Sequence, residues 1–173
     1  MLQSRDVALA PVTRADLPQL FAWINDRDLV LLSAGYRPVN ELQHEAWLGR
    51  MLTRDDVYLF GIREVASGRL IGSCQLLAVD RAHRKAELQI RIGDAQARGR
   101  GYGTQAVELL VKFGFVDLNL HRIALHVFAD NAAALRAYEK AGFQREGLLR
   151  DAAYVDGRYL DAVVMGILNS NGW

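Results

Sequence analysis

The sequence predicts an α/β fold of the α+β kind, with one mixed, mostly antiparallel sheet flanked by helices. Three observations carry this. Three strand-like runs follow one another directly, at Tyr58 to Val65, Leu70 to Val79 and Lys85 to Ile92. Two helix-like segments precede them, and two more alternate with the later strands. The resulting order is strand, two helices, three strands, helix, strand, helix, two strands, which is a mixed layer and not a regular βαβ series.

Val7 to Val12 opens the order as a strand. Thr13 then stands where a helix N-cap would, with Asp16 three residues on in a capping-box position. Leu17, Leu20, Phe21 and Ile24 follow at i, i+3, i+4, i+7, the spacing of one buried helical face. Leu29 to Asn40 breaks the period with Gly35 and Pro38 and is expected to be a loop. A helix from about Glu41 to Leu52 is expected to bury Trp47, Leu48, Met51 and Leu52. Ser67-Gly68 suits a hairpin turn between the first two of the three strands. Thr104 to Asp117 is a largely apolar helix, as one packed on a sheet would be. Arg122 to Phe128 is a strand, and Asn131 to Ala141 is a helix closed by Gly142 as a C-cap. Phe143 onward and Tyr159 to Leu168 supply the last strands.

A chain of 173 residues is most simply one domain, residues 1–173, with enough length for a substantial core. Its net charge of +1 gives no bulk attraction to nucleic acid or to an anionic membrane. There is no apolar run long enough to span a bilayer and no basic-then-apolar leader, so a cytoplasmic location is the expectation. The single cysteine, Cys74, excludes an intrachain disulfide and a thiolate metal site, and no HExxH or G-x-S-x-G occurs. No metal is expected.

The most informative stretch is Arg98-Gly99-Arg100-Gly101-Tyr102-Gly103-Thr104, between a strand and an apolar helix. Strand, glycine loop and helix make an anion cradle: backbone N–H groups converge, the helix dipole adds positive charge, and glycine removes the Cβ that would hold a phosphate off. A P-loop would continue Lys-Ser or Lys-Thr where this chain has Tyr102-Gly103-Thr104-Gln105. A dinucleotide fingerprint would space its glycines differently and sit early in a βαβ unit. The pattern Arg/Gln-x-x-Gly-x-Gly/Ala is met by Arg98, Gly101 and Gly103. A glycine-rich turn with no ligand is the plain alternative.

A second signature follows. Asn131-Ala132-Ala133-Ala134-Leu135-Arg136-Ala137-Tyr138-Glu139-Lys140-Ala141-Gly142-Phe143 places Asn131, Leu135 and Tyr138 on one helical face. Together the loop and this helix resemble the acetyl-CoA pyrophosphate loop and the Asn-x-x-Ala-x-x-x-Tyr-x-x-x-Gly-Phe segment of the GNAT N-acetyltransferase superfamily. The resemblance runs from about Val7 to Leu168. Ala86-Glu87-Leu88-Gln89-Ile90, Asn119-Leu120-His121-Arg122-Ile123 and Gly147-Leu148-Leu149-Arg150 look like its RimJ/RimL-type branch. That branch includes ribosomal-protein N-terminal acetyltransferases, spermidine acetyltransferases and acetyltransferases of amino sugars and antibiotics.

What the resemblance implies is an acetyl-CoA-dependent N-acetyltransferase that transfers directly within a ternary complex, with the cofactor at the splayed centre of the sheet. The backbone N–H groups of Arg98, Gly99, Arg100, Gly101, Tyr102, Gly103 and Thr104 would hold the pyrophosphate. Leu88, Gln89, Ile90, Arg91 and Ile92 would pair with the pantetheine arm as an added strand, helped by Asn131. The side chains of Arg98, Arg100, Arg136 and Lys140 are candidates to reach phosphates. Glu87 is the matching general base and Tyr138 the matching general acid for the thiolate. Glu87 could instead be a structural strand carboxylate paired with Arg91, and Tyr138 a packed core aromatic.

The acceptor, a primary amine, would enter past Ser33, Tyr36, Arg37, Glu41, Glu87 and Tyr154. A protein N-terminal α-amine or a small molecule such as an amino sugar or antibiotic is expected. A polyamine is the alternative, weakened by a loop between Asp28 and Glu41 that holds Arg37 and no acid. A non-catalytic acyl-CoA sensor is a further alternative, against which the retention of Glu87 and Tyr138 argues. A homodimer is left open by the resemblance.

Overall fold

A computed structural model describes residues 2–170; Met1 and residues 171–173 of the expected single domain lie outside them. Eight strands form one sheet in the order β1-β2-β3-β4-β5-β6-β8-β7. These are β1 (Leu2–Gln3), β2 (Val7–Pro11), β3 (Tyr58–Glu64), β4 (Leu70–Asp80), β5 (Lys85–Ile92), β6 (Arg122–Phe128), β7 (Gln144–Val155) and β8 (Arg158–Leu168). Every neighbouring pair is antiparallel except β5 with β6. The helices are α1 (Leu17–Ile24), α2 (Arg27–Leu31), α3 (Glu41–Thr53), α4 (Tyr102–Val116) and α5 (Ala132–Lys140). Strands β5 and β6 have the boundaries that their sequence alternation predicts. Strand β1 was not foreseen; two residues are too few to show a period.

Helix α4 supplies the main packing. Ala106, Val107, Leu110, Val111 and Phe115 are buried against β2, β4 and β5, with Ile62, Ile71, Leu76 and Leu88 opposite them. The fit leaves no spare volume at Gly114, where a Cβ would lie 2.7 Å from Ile123 Cδ1. A smaller cluster of Leu20, Trp23 and Leu29 joins α1 and α2 near the end of β5. There the Trp23 indole lies directly on Gly93, leaving no room for any side chain at that position.

Two expectations are corrected. Leu29 to Leu31 is helical, because the Asp26 carboxylate caps α2 by accepting the Leu29 N–H at 3.1 Å, so the loop starts only at Leu32. On α3 the buried residues are His44 and Leu48, while Trp47 and Met51 are half-buried and Leu52 is exposed. The His44 ring sits between Phe21 and Trp47, at 5.6 and 5.5 Å, and burial lowers its pKa. A polar residue takes the central place on the inner face, which apolar periodicity cannot anticipate.

Asp16, after β2, is buried yet charged. Its carboxylate accepts the Thr13 N–H at 2.8 Å and two contacts from Arg63 Nη2 at 2.7 and 2.8 Å. Burial, the largest influence, pushes its pKa up, but the hydrogen bonds from Thr13 and Arg63 outweigh it, so the value stays below the ordinary one. With the folded value depressed, the stabilisation is complete above the unfolded-state pKa of about 4 and is lost as pH falls through the folded value. Asp16→Asn leaves Arg63 half-sheltered without its anion, at a cost of about 2–3 kcal/mol. Urea unfolding at pH 7 and pH 3 should show that cost at pH 7 and a much smaller one at pH 3.

Candidate active site

Strands β5 and β6 pair only over Lys85–Glu87 against Arg122–Ala124. Beyond that rung they part. β5 continues on β4, with Gln89 opposite Gln75 and Ile92 opposite Gly72, and β6 continues on β8. The edge of β5 from Leu88 to Ile92 is therefore left without a strand partner on the β6 side. A groove of about 540 Å³ occupies the split, floored by both strand ends and walled by the glycine loop and α5.

The loop forms as its glycines dictate. Gly99 and Gly101 have φ of 71° and 80°, a left-handed backbone that L side chains rarely adopt. Gly101 is the α4 N-cap, and the Gln105 N–H donates to its carbonyl at 3.2 Å. The N–H groups of Tyr102, Gly103 and Thr104 are thus left at the positive end of a 15-residue helix. A Cβ built on Gly99 or Gly101 meets no protein atom within 4 Å, so both glycines border open space. An anionic group fits this cradle.

The groove gathers most of the residues expected to hold a cofactor: Ile90, Arg91, Ile92, Arg98, Gly99, Gly101, Tyr102, Gly103, Thr104, Asn131, Arg136, Tyr138 and Lys140. Leu88 is buried in the core, and Gln89 accepts a bond from Gln75 Nε2 at 2.9 Å outside the groove. Arg100 also lies outside it. Its guanidinium pairs with Glu64 at 3.3 Å and covers the Tyr102 ring at 4.8 Å. Arg98 staples the loop by donating to the carbonyls of Ile92 and Gly93, at 3.1 and 3.0 Å. Arg136 and Lys140 are exposed, and neither has an ion-pair partner among the described residues.

Asn131 caps α5 by accepting the Ala134 N–H at 3.1 Å, and its amide donates to the Leu32 carbonyl at 3.2 Å. One residue so fixes both the helix start and the end of α2. Tyr138 is 8% exposed and packs against Phe143 at 6.0 Å. Burial pushes its pKa up to about 12. The phenol therefore keeps its proton throughout the physiological range.

Glu87 does not line the groove; it is exposed, on the last rung that β5 shares with β6. The alternative pairing of Glu87 with Arg91 is not formed among the described residues, since i and i+4 on a strand stand about 13 Å apart. Of the expected acceptor residues, Ser33 lines the groove, while Tyr36, Arg37, Glu41 and Tyr154 do not. Tyr36 reaches back to the Asn25 carbonyl at 3.5 Å, and Tyr154 packs edge-on against Tyr159 at 5.1 Å. His126 is in the groove and was missed. The alternation of Ile123, Leu125 and Val127 inward places it on the opposite face of β6, but nothing in the sequence marks it as functional.

The model of the acetyltransferase (GNAT) domain matches residues 6–144. The chain belongs to the GNAT acetyltransferase family. Its relatives include the probable N-acetyltransferase YjcK of Bacillus subtilis, 32% identical over 154 residues, which covers 89% of this chain and 82% of that protein. The spermidine N(1)-acetyltransferase of Vibrio cholerae is 31% identical over 139 residues, 79% of this chain and 78% of that one. A crystal structure of the Vibrio cholerae spermidine N-acetyltransferase with CoA and spermine superimposes with a TM-score of 0.86 at 29% identity, covering 95% of this chain and 96% of that one. The mixed, mostly antiparallel sheet expected from sequence is thus the fold of an N-acetyltransferase. Among the described residues no helix is long and apolar enough to cross a membrane, and no cluster of side chains suits a metal.

Gly101→Ala should separate fold from cradle. A left-handed alanine costs about 1–2 kcal/mol, so thermal unfolding should fall by only a few degrees. Its Cβ would project into the anion site, and calorimetric titration with CoA should show affinity falling by at least about tenfold.

Proposed function

We propose that this protein moves an acetyl group from acetyl-CoA to a primary alkylamine of the polyamine type. The observation that carries the reading is that a protonated, buried tyrosine and an anion cradle face one groove at the open edge of β5. When bound there, acetyl-CoA supplies an activated acetyl thioester. The Tyr102–Thr104 N–H groups hold its pyrophosphate, Arg136 and Lys140 add charge, and the β5 edge receives the amide arm as a further strand would.

An alkylammonium, with a reference pKa of about 10.4, must lose a proton before it can attack. We assign that proton to Glu87 through water, since the carboxylate stands at the head of the split and outside the groove. As the N–C bond forms the C–S bond breaks; Tyr138 gives its proton to the departing sulfur and is reprotonated by the one the amide nitrogen releases. One proton is set free per turnover.

On the acceptor, kinship with spermidine N-acetyltransferases favours the polyamine alternative over the peptide N-terminus or amino sugar expected from the sequence. Thiol release from acetyl-CoA should depend on an alkylamine such as spermidine or putrescine, ahead of N-terminal peptides and amino sugars. Tight acetyl-CoA binding with no acceptor-dependent release would instead favour the sensor reading.

Tyr138→Phe should lower kcat about 100-fold with the acetyl-CoA dissociation constant nearly unchanged. In the unsubstituted enzyme kcat should show no loss from tyrosine ionisation up to about pH 10. Weakened cofactor binding with unchanged turnover of the bound complex would make Tyr138 structural.

A further inference from the structure

Arg91 is the groove cation that neither the fold nor the phosphate cradle explains. Alternation along β5 buries Ala86 and Leu88 on the side of α4 and puts Glu87, Gln89 and Arg91 on the opposite face of the sheet. Among the described residues its buried Nε has no hydrogen-bond partner, and the guanidinium makes one long bond, Nη2 to Ser33 Oγ at 3.4 Å. No carboxylate among the described residues lies within ion-pair distance of it. Burial alone lowers its pKa from the ordinary value.

The other sheltered arginines are answered: Arg63 by Asp16 and Arg122 by Glu146. Arg136 and Lys140 are exposed and wait on solvent. An unpaired guanidinium in a half-closed groove is unfavourable unless a ligand brings the anion.

We propose that Arg91 receives a carboxylate of the acceptor, so that the substrate is an alkylamine bearing a carboxylate, of the diamino-acid class. The inference rests on the N-acetyltransferase reading and narrows its alkylamine: a diamino acid is a diamine with one carboxylate added. Compared with the plain diamine, the added carboxylate gives the Arg91 guanidinium the anion it lacks.

The test uses pairs that differ by that carboxylate alone, ornithine with putrescine and lysine with cadaverine. Each is titrated into the CoA-saturated protein and assayed for thiol release, for the native chain, Arg91→Gln and Arg91→Lys. The native protein should favour the amino acid of each pair at least about tenfold, in affinity and in kcat/KM. Arg91→Gln should erase that preference by raising KM for the amino acid of each pair, and Arg91→Lys should restore part of it. Arg91→Gln should not lower the melting temperature, because the buried charge it removes has no partner. Equal or stronger binding of the diamine to the native protein, or a ratio unmoved in Arg91→Gln, would overturn the assignment. If no amine is acetylated the transferase reading falls, and the binding ratio still decides the role of Arg91.

Discussion

The parting of β5 from β6 after the rung of Glu87 and Ala124 is the constraint on which the rest of the structure depends. A continuous sheet would satisfy the edge of β5 and leave no groove. Parallel pairing of β5 and β6 needs a crossover, and α4 is that crossover, so its positive end is delivered to the mouth of the split. The packing that holds α4 is close: Leu110 and Ala106 have no exposure, and Gly114 lies against Ile123 on β6. At the other side Trp23 on Gly93 ties α1 to the turn that leaves β5. The split is thus held by a close-packed core, which deforms little.

Charge is distributed around it by function. Glu64 draws Arg100 and the Tyr102 hydroxyl away from the groove, the latter at 3.1 Å, and so helps set the loop. Arg98 spends its donors on carbonyls that would otherwise face the bend after β5. The remaining groove cations divide by face, with Arg136 and Lys140 on α5 and Arg91 across the sheet. The hairpin of β7 and β8, closed by Asp156 and Gly157 at positive φ, is linked to α2 through Arg27 and Asp156 at 2.5 Å.

Much of this was legible in the chain because local rules and tertiary packing agree. The two strands flanking the split alternate cleanly, and the loop glycines stand where φ is positive, so their boundaries and roles follow from sequence. Asn131 reads as a cap and is one. What was not legible depends on contacts distant in sequence. Helix α2 is five residues long and carries no period, so only the Asp26 cap marks it. His44 is buried because two aromatic rings from different helices enclose it. The positions of the Arg98 and Arg100 side chains were set by carbonyls and by Glu64, which no spacing rule connects to them. Arg91 looked like one more pantetheine-side residue, and what distinguishes it is that no carboxylate among the described residues stands beside it.

The central claim is that the open edge of β5 serves as a docking strand for the cofactor. A crystal structure with CoA tests it most directly. The account predicts pyrophosphate oxygens on the N–H groups of Tyr102–Thr104 and the amides of the pantetheine arm hydrogen-bonded to β5 between Leu88 and Ile92. CoA bound elsewhere, with β6 closed onto that edge, would contradict it.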